Sequence, residues 1–445
     1  MTAYHLTGNY APVPHETTET ALAVTGALPR DLTGTYIRNG PNPRSGTSGH
    51  WFLGDGMLHG VRFEDGRATW YRNRWVDTDR SGVHRPDGTR NLRSAAANTH
   101  VVRHAGRMLA LVESSFPYEI TPDLGTVGPY DFAGRLDTPM TAHPKADPVT
   151  GELHFFGYSP LPPFLTYHRA DAAGNLVYSR EIEVPRSTMT HDFQLTERHV
   201  LFFDLPVVFD MALVDQGTMP YRWDPSCGAR IGVLRRDAPD TPVRWFEIDP
   251  CYVFHTFAAH DAADTVVLTA MRFADLSDRT GATNTAVAWR WTVDLAAGTV
   301  RSEQLDDRDA EFPRIDDRLA GRGARFGHAV GKDTLIRYDL ETGDAAVHAY
   351  GPGRRPDEMA FVPSTADAGG PGLLMGYVYD AASDTSDLVV HDAGTLEQVA
   401  AVHLPVRVPF GFHGDWFAVR RAAVRAGQAK VSVARISASR MPGSS

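Results

Sequence analysis

Short runs of β-branched and aromatic residues alternate with turn-forming clusters along nearly the whole chain. The clearest apolar runs span residues 101–113, 151–158, 199–205, 264–273 and 286–305. Clusters that contain Gly or Asp, such as HAG, DPVTG, DAAGN and LETG, separate runs of this kind. Strand-like runs joined by hairpin turns at close spacing are typical of an all-β protein. Helical periodicity is weak and predicts only two short helical segments, 210–216 and 319–323.

The length of the chain narrows the choice among all-β architectures. A chain of 445 residues is larger than an ordinary β-sandwich, whereas a propeller grows by adding four-stranded blades around an axis. At seven blades each blade would have about 64 residues, which exceeds the ~40–50 residues of a minimal blade and leaves room for loops on one face. No Ser/Gly-rich or Pro-rich linker divides the chain. We therefore predict one propeller domain over residues 1–445.

Charge and cysteine content exclude several classes of protein. The chain has 44 Lys and Arg against 54 Asp and Glu, a net charge of −10, which makes nucleic acid a poor electrostatic partner. Two cysteines allow at most one disulfide and suit a reducing compartment. Residues 1–16 lack the features of a secretory signal, and the longest apolar run, 205–214, is too short to cross a bilayer. We expect a cytoplasmic protein.

Four of the nineteen histidines stand out because each adjoins a strand-like run in a segment rich in Pro, Gly or aromatic residues. They are His143 in MTAHPKADP, His191 in MTHDFQL, His255 in CYVFHTFAAHD and His413 in VPFGFHGDWF. Their separations of 48, 64 and 158 residues are too long for a zinc finger but suit a radial fold in which different blades each send one side chain to the axis. Imidazole ligands suit Zn, Cu, Fe or Ni and select none of these metals. Each histidine taken alone is more often a structural or exposed residue than a metal ligand.

Three glutamates lie in apolar segments, where an unpaired carboxylate would be costly. They are Glu113 in MLALVESSFPYEI, Glu311 in DAEFPRIDD and Glu358 in RPDEMAFVPS. A histidine that ligates a metal usually donates its second ring N–H to a carboxylate or carbonyl, so these residues are candidates for orienting the ligand rings. The alternative for each is an exposed acid in a loop, and it is weakest for Glu113, which ends an apolar run.

Nine ordered sequence blocks carry a family resemblance that extends through most of the chain. The blocks are residues 34–43, 50–63, 98–120, 141–158, 190–203, 251–261, 311–328, 357–364 and 408–417. In these blocks the chain resembles the carotenoid cleavage oxygenases, a family that also contains stilbene-cleaving dioxygenases and the vertebrate retinoid isomerase.

The resemblance implies a seven-bladed β-propeller with one non-haem Fe(II) per chain on its axis, under a dome of loops and short helices. Matched residue by residue, it implies that His143, His191, His255 and His413 hold the iron and that Glu113, Glu311 and Glu358 orient most of their rings. None of the seven residues is missing, which argues against a scaffold that has lost activity. The implied reaction uses O₂ to cleave a C=C bond into two carbonyl products without an organic cofactor. The implied partners are therefore O₂ and a small hydrophobic polyene or aromatic alkene.

The resemblance also implies a substrate tunnel lined by aliphatic and aromatic side chains. Candidates in the relevant segments are Val112, Phe116, Phe164, Phe209, Phe257, Phe410 and Trp416, and core packing is the alternative for each. Stilbene-cleaving relatives typically carry Lys at the position of Val112, where it can meet a phenolic hydroxyl. Since a site that binds a phenol discriminates through such contacts, Val112 favours a carotenoid or apocarotenoid over a hydroxystilbene.

Two departures from the family pattern and several alternatives remain. Ala258 and His260 replace residues that are commonly Asn and an aromatic, and period-2 alternation along a strand predicts that His260 is not a ligand. The run 205–214 could form an apolar patch that dips transiently into a membrane surface, or a buried strand followed by a short helix. The alternative functions are stilbene or phenylpropanoid cleavage, a propeller that binds partners without turnover, and a zinc hydrolase. The last is disfavoured because no motif places a general-base carboxylate in the cavity.

Overall fold

The computed structural model describes residues 3–419, apart from Pro86, Gly88, Gly217 and residues 278–283. Seven antiparallel sheets radiate from a common axis and form a seven-bladed β-propeller. Innermost strands of neighbouring blades contact one another between blades 4 and 5, 5 and 6, 7 and 1, and 1 and 2. The predictions of an all-β chain and of the seven-bladed propeller are confirmed. That the whole chain forms one domain stays a prediction, because residues 420–445 lie outside the described part.

Blades 1 to 3 come mainly from the first part of the chain. Blade 1 contains Thr17–Glu19, Gly34–Pro41, Gly56–Glu64, Arg67–Trp75 and Gly414–Ala418. Blade 2 contains His100–His104, Arg107–Leu111, Tyr118–Ile120 and Thr126–Pro129. Blade 3 contains Lys145–Ala146, Leu153–Tyr158, Leu165–Ala170 and Leu176–Glu181.

Blades 4 to 7 follow in chain order. Blade 4 contains Gln194–Leu195, His199–Asp204, Ala229–Arg235 and Arg244–Ile248. Blade 5 contains Tyr252–Ala262, Thr265–Phe273, Ala286–Asp294 and Thr299–Gln304. Blade 6 contains Glu311–Arg314, Phe326–Val330, Thr334–Asp339 and Ala345–Ala349. Blade 7 contains Ala23–Gly26, Arg354–Pro356, Ala360–Pro363, Gly372–Asp380, Thr385–Asp392 and Gln398–His403.

Strands from both ends of the described chain close the ring. Ala23–Gly26 pairs with Gln398–His403 at the outer edge of blade 7. Gly414–Ala418 pairs with Gly34–Pro41 and forms the innermost strand of blade 1. Blades 7 and 1 are therefore the seam at which the propeller closes.

Tight hairpin turns explain how the sequence produces short antiparallel strands. The two residues Ala105 and Gly106 have φ of 47° and 80°, and Asp65 and Gly66 have φ of 48° and 74°. Positive φ at both central positions is the two-residue turn whose twist matches that of the flanking strands. These turns lie at the end of the propeller opposite to the end at which the innermost strands begin.

Longer loops cover the end at which the innermost strands begin. One such loop contains a hairpin of Val207–Phe209 and Tyr221–Trp223, the single-turn helix Met211–Val214 and the 3₁₀ turn Pro225–Cys227. Further 3₁₀ turns are Tyr4–Leu6, Gly8–Tyr10 and Trp51–Leu53, whereas the turn Asp317–Leu319 follows the innermost strand of blade 6 at the opposite end. None of the helices in the described residues is long and apolar enough to span a bilayer.

The two short segments predicted as helices have different outcomes. The segment 210–216 contains the helix Met211–Val214, whose first turn is capped by Asp210 through the N–H of Ala212. The helix predicted over 319–323 is wrong. Gly321 and Gly323 have φ of 80° and 83°, which ends the helical geometry just after Asp317–Leu319.

The run 205–214 forms a strand followed by a short helix, as one of the two interpretations stated. Val207 and Val208 are buried, whereas Met211 and Val214 on the helix are 60% and 44% exposed. Contact of these side chains with a membrane surface stays a prediction.

Candidate metal centre

Four histidines from four blades converge on the propeller axis. His143, His191 and His413 lie just before the innermost strands of blades 3, 4 and 1, and His255 lies within the innermost strand of blade 5. One ring nitrogen from each lies within 4.8 Å of the corresponding nitrogens of the other three. The Nε2 atoms of His143 and His191 are 3.0 Å apart, and those of His191 and His255 are 3.3 Å apart. The sequence predicted this convergence.

An irregular backbone turns His255 and its neighbour Glu311 toward the axis. The ladder between the first two strands of blade 5 shifts register on both sides of Thr256, so that His255 sits in a β-bulge. A second shift lies between Glu311 and Arg314, where Phe312 has φ of 55°. Bulges re-aim side chains that a regular strand would direct elsewhere.

Three glutamates hold three of the four imidazole rings. The Nδ1 of His191 donates to Glu113 over 2.6 Å, that of His255 to Glu311 over 2.6 Å, and that of His413 to Glu358 over 3.1 Å. Because a carboxylate accepts at Nδ1, each of these rings presents an Nε2 lone pair to the axis. For His143, the described part of the chain provides no carboxylate within 4.0 Å.

Burial and the neighbouring charges keep these rings suited to binding a cation. Burial, followed by the adjacent imidazoles, lowers the pKa of His143 and of His413 well below the usual range, so both rings are neutral. Burial acts in the same direction on His255, but the Glu311 carboxylate outweighs it and raises the pKa of that ring. A carboxylate partner of this kind makes the opposite ring nitrogen a stronger donor to a metal.

The arrangement of the four nitrogens fits a single transition-metal ion. His191 and His255 both donate from Nδ1, so their Nε2 lone pairs, 3.3 Å apart, repel one another unless a cation lies between them. Two nitrogens bound at right angles to one ion at ~2.1 Å would lie about 3.0 Å apart. The donor set contains only imidazole, which suits Fe, Zn, Cu or Ni.

The centre has two unlike sides. We call the pairs His191–Glu113 and His255–Glu311 the open flank, because their glutamate side chains retain 18% and 21% exposure. We call His413–Glu358 the closed flank, because Glu358 is only 2% exposed. The oxygen of Glu113 that does not contact His191 accepts a hydrogen bond from Tyr158 over 2.7 Å. The corresponding oxygen of Glu311 has no protein partner among the described residues.

On the closed flank, Glu358 joins the two blades of the seam. Its Oε1 accepts from His413, and its Oε2 accepts the N–H of Gly414 over 2.8 Å. Arg314, whose side chain is 10% exposed, lies 3.8 Å from Glu358 and 3.3 Å from Asp415. Glu358 precedes a strand of blade 7 and Gly414 begins the innermost strand of blade 1, so this carboxylate ties the metal site to the closure of the ring.

Asp192 links the three blades that carry the other ligands. It follows His191, and its buried carboxylate lies 2.7 Å from the ammonium of Lys145 and accepts both the N–H and the hydroxyl of Thr256. Burial raises the pKa of Asp192, but Lys145 and the hydrogen bonds outweigh this effect and leave the pKa below its usual value. Lys145, Asp192 and Thr256, each one or two residues from a ligand histidine, are thereby joined in one polar network.

The predicted tunnel residues lie in different environments. Val112 and Phe116 are buried beside Glu113, and Phe410 lines a cavity next to the centre. Phe257 packs edge-on against Tyr338 in the core of blades 5 and 6, and Trp416 packs in the core near Phe63. Phe164 and Phe209 are half-buried in the loops over the metal end. Their roles toward a substrate stay predictions.

Two aromatic residues next to the ligands were missed by the sequence analysis. Phe312 stacks on the ring of His255 at 5.3 Å and meets His413 edge-on at 5.4 Å. Phe254 meets His191 edge-on at 5.3 Å. Each adjoins a residue that the sequence did single out, His255 or Glu311, and this adjacency was the available signal. His260 lies apart from the four ligands, with its ring against Gly323.

Comparison with known proteins gives concordant matches. The family model RPE65, retinal pigment epithelial membrane protein, matches residues 10–418. A carotenoid cleavage oxygenase of Mycobacterium tuberculosis is 39% identical, over 93% of this chain and 97% of that protein. The carotenoid 9,10(9',10')-cleavage dioxygenase 1 of Arabidopsis thaliana is 35% identical, over 92% of this chain and 89% of that protein.

Solved structures agree with the fold. The crystal structure of a lignostilbene dioxygenase from Pseudomonas brassicacearum superposes with a TM-score of 0.86 at 28% identity, covering 94% of this chain and 99% of that one. A cobalt-substituted Synechocystis ACO superposes with a TM-score of 0.82 at 24% identity, covering 92% of this chain and 98% of that one, and supports the propeller fold alone.

Proposed function

Because the chain belongs to the carotenoid cleavage oxygenase family, we propose that it is an Fe(II)-dependent dioxygenase that cleaves a C=C bond of a carotenoid or apocarotenoid. Both oxygen atoms of O₂ would enter the products, one in each new carbonyl group. The observation that carries the proposal is the convergence of four imidazoles, one ring nitrogen of each lying within 4.8 Å of those of the other three. The proposed ligands are His143, His191, His255 and His413, with one iron per chain.

The protein's own residues would prepare and shield the centre. Glu113, Glu311 and Glu358 fix three rings in the Nδ1–H tautomer and so keep their Nε2 atoms available. Phe254 and Phe312 place apolar rings against His191 and His255, which suits contact with a conjugated chain. A bound Fe(II) ion would supply the activation of O₂ next to the alkene.

The substrate class is proposed from the relatives and from Val112. The two relatives named above act on carotenoids according to their names, and the apolar Val112 offers no hydrogen bond to a phenol. Stilbene cleavage is the second candidate, because a lignostilbene dioxygenase has the same fold at 28% identity. The two reactions differ only in the alkene that the cavity accepts.

Metal analysis followed by a substrate panel tests the proposal. Purified protein should contain about one iron per chain and should lose activity on chelation. A β-apocarotenal, resveratrol and isoeugenol would then be incubated aerobically with the iron-loaded protein, and the aldehyde products identified by mass. Cleavage of the apocarotenal supports the proposal. Cleavage of resveratrol or isoeugenol alone favours the second candidate, and zinc in place of iron with no cleavage would contradict both.

A further inference from the structure

A cavity of about 220 Å³ lies beside the metal centre between blades 6, 7 and 1. At its inner end are Glu311 and Phe312, the latter stacked on the ligand His255. At its outer end are the exposed Lys332 and the half-buried Arg355. The cavity therefore extends from the open flank of the centre to solvent.

Aromatic side chains form the wall between these two ends. Tyr10 meets Trp51 edge-on at 5.2 Å and Phe410 at 5.0 Å. The guanidinium of Arg355 lies 5.9 Å from the ring centre of Phe410. Burial raises the pKa of Tyr10, and the positive charge of Arg355 partly offsets this effect, so Arg355 is electrostatically coupled to the aromatic wall. A wall of this kind suits a flat, conjugated chain.

The cavity has hydrogen-bond donors that the protein leaves unused. The buried Nε1–H of Trp51 has no acceptor among the described residues. Within the same part of the chain, neither Lys332 nor Arg355 lies within 4.0 Å of a carboxylate. A buried donor without an acceptor is costly, which is a reason to expect an acceptor on a ligand.

The carboxylates that line the cavity are already engaged. Glu311 accepts from His255, and Asp357 lies 3.5 Å from the buried Arg38. Asp309 accepts the N–H of Ala286 over 3.0 Å. Asp309 and Glu311 keep their charge in these contacts, but neither lies within 4.0 Å of Lys332 or Arg355. The two cations at the outer end therefore have no carboxylate partner among the described residues and can attract an anion from outside.

We propose that this cavity binds the carboxylate terminus of an acidic apocarotenoid, with the carboxylate at Lys332 and Arg355 and the polyene directed toward Phe312. The inference rests on the proposed function and names the end group of its substrate. The free oxygen of Glu311 repels a carboxylate at the inner end, which fixes this orientation. A volume of about 220 Å³ holds one end of such a molecule, and the rest of the chain would extend toward Phe312, which stacks on the ring of His255.

Binding of an acid and of its ester isolates the contribution of the charge. The probes are β-apo-8'-carotenoic acid and its methyl ester, and their Kd values are measured on the metal-free protein by quenching of tryptophan fluorescence. We expect the acid to bind about 10-fold more tightly than the ester, and the difference to shrink at high salt because exposed charges are screened. The double variant Lys332→Met/Arg355→Met should abolish the preference for the acid and leave the Kd of the ester within about twofold.

The chain offers a control with the same loss of charge. Arg30 and Arg67 are exposed at the opposite end of the propeller, near the turn at Gly66. The double variant Arg30→Met/Arg67→Met should keep the preference for the acid. An equal affinity for acid and ester in the unaltered protein, or an equal loss in both double variants, overturns the inference.

Turnover separates this inference from the proposed function. Iron-loaded protein that cleaves both probes but shows no preference for the acid contradicts the inference alone. Protein that cleaves neither probe contradicts the proposed function, and the binding comparison on the metal-free protein still decides whether the cavity holds a carboxylate. If the iron-loaded protein cleaves both probes and prefers the acid, the double variant Lys332→Met/Arg355→Met should raise KM for the acid about 10-fold and leave kcat within twofold.

Discussion

The open and closed flanks of the metal centre use the same pair of side chains in different ways. On the open flank, Glu311 uses one oxygen for both the ring of His255 and the N–H of Phe312, and its other oxygen is free of protein partners among the described residues. On the closed flank, Glu358 uses one oxygen for His413 and the other for the N–H of Gly414. Both carboxylate oxygens of Glu358 therefore accept a hydrogen bond.

Because of this difference, residues of the open flank affect mainly the metal ligands, whereas residues of the closed flank also stabilise the propeller. The open flank borders the cavity, and a change there alters the ligand rings without exposing a buried charge. The closed flank lies at the seam where blades 7 and 1 meet, next to the mostly buried Arg314. A change there removes an acceptor from a buried N–H group and weakens a buried ion pair, both of which stabilise the fold.

Loss of a ligand from the open flank should have the largest effect. His255→Ala removes one of four donors, and we expect metal content to fall from about one ion per chain to less than about 0.1, since three imidazoles without their fourth partner hold the ion weakly. The measurement is metal analysis after gel filtration, with circular dichroism to show that the fold persists.

The matched control is His260→Ala, five residues further along the same strand. His260 lies outside the cluster of four, so this variant should retain its metal. Normal metal content in His255→Ala, or equal loss in both variants, would remove His255 from the set of ligands.

Glu358→Gln should have the second largest effect, on stability. The amide offers one acceptor oxygen where His413 and Gly414 both donate, so its NH₂ group must face a donor. The loss of charge also leaves Arg314 with weaker compensation. We expect the free energy of unfolding of the metal-free protein to fall by about 3 kcal/mol, measured by urea denaturation. Unchanged stability would show that the seam does not depend on this carboxylate.

Glu311→Gln should destabilise the fold less than Glu358→Gln and should mainly lower metal affinity or activity. One amide oxygen can accept from both His255 and Phe312, and the NH₂ group can take the position of the free oxygen. Stability should therefore change by less than about 1 kcal/mol, whereas metal affinity or activity should fall by about 10–100-fold because the ring loses a charged partner. A loss of stability equal to that of Glu358→Gln would abolish the distinction between the flanks.

The sequence predicted the fold class and the seven residues now seen around the centre, but not how the strands deliver them. Alternation along a regular strand excluded His260 as a ligand, and that conclusion agrees with its position beside Gly323. The argument itself was incomplete, because register shifts around Thr256 interrupt the alternation. Bulges depend on pairing with a neighbouring strand, so the sequence of one strand does not reveal them.

Other features depended on contacts between distant segments. The links from Asp192 to Lys145 and from Glu358 to Gly414 join residues 47 and 56 positions apart, and no local pattern marks them. The wrong helix over 319–323 has a local cause, because Gly321 and Gly323 readily adopt positive φ and the sequence alone shows both glycines. The seven-blade count came from the family resemblance, because the strand pattern alone allowed other numbers of blades.

The smallest expected effect concerns substrate choice on the open flank. Val112 is 8% exposed and precedes Glu113, which holds the ring of His191. Val112→Lys would place an ammonium group at this edge of the centre, where it can bind a phenolic oxygen. We expect the ratio of kcat/KM for a 4-hydroxystilbene to that for a β-apocarotenal to rise by about 10-fold. Val112→Met, an unbranched side chain without the charge, should leave the ratio within about twofold. Equal ratios in the two variants would mean that size rather than charge at this position governs the choice, and Val112 would then no longer favour a carotenoid.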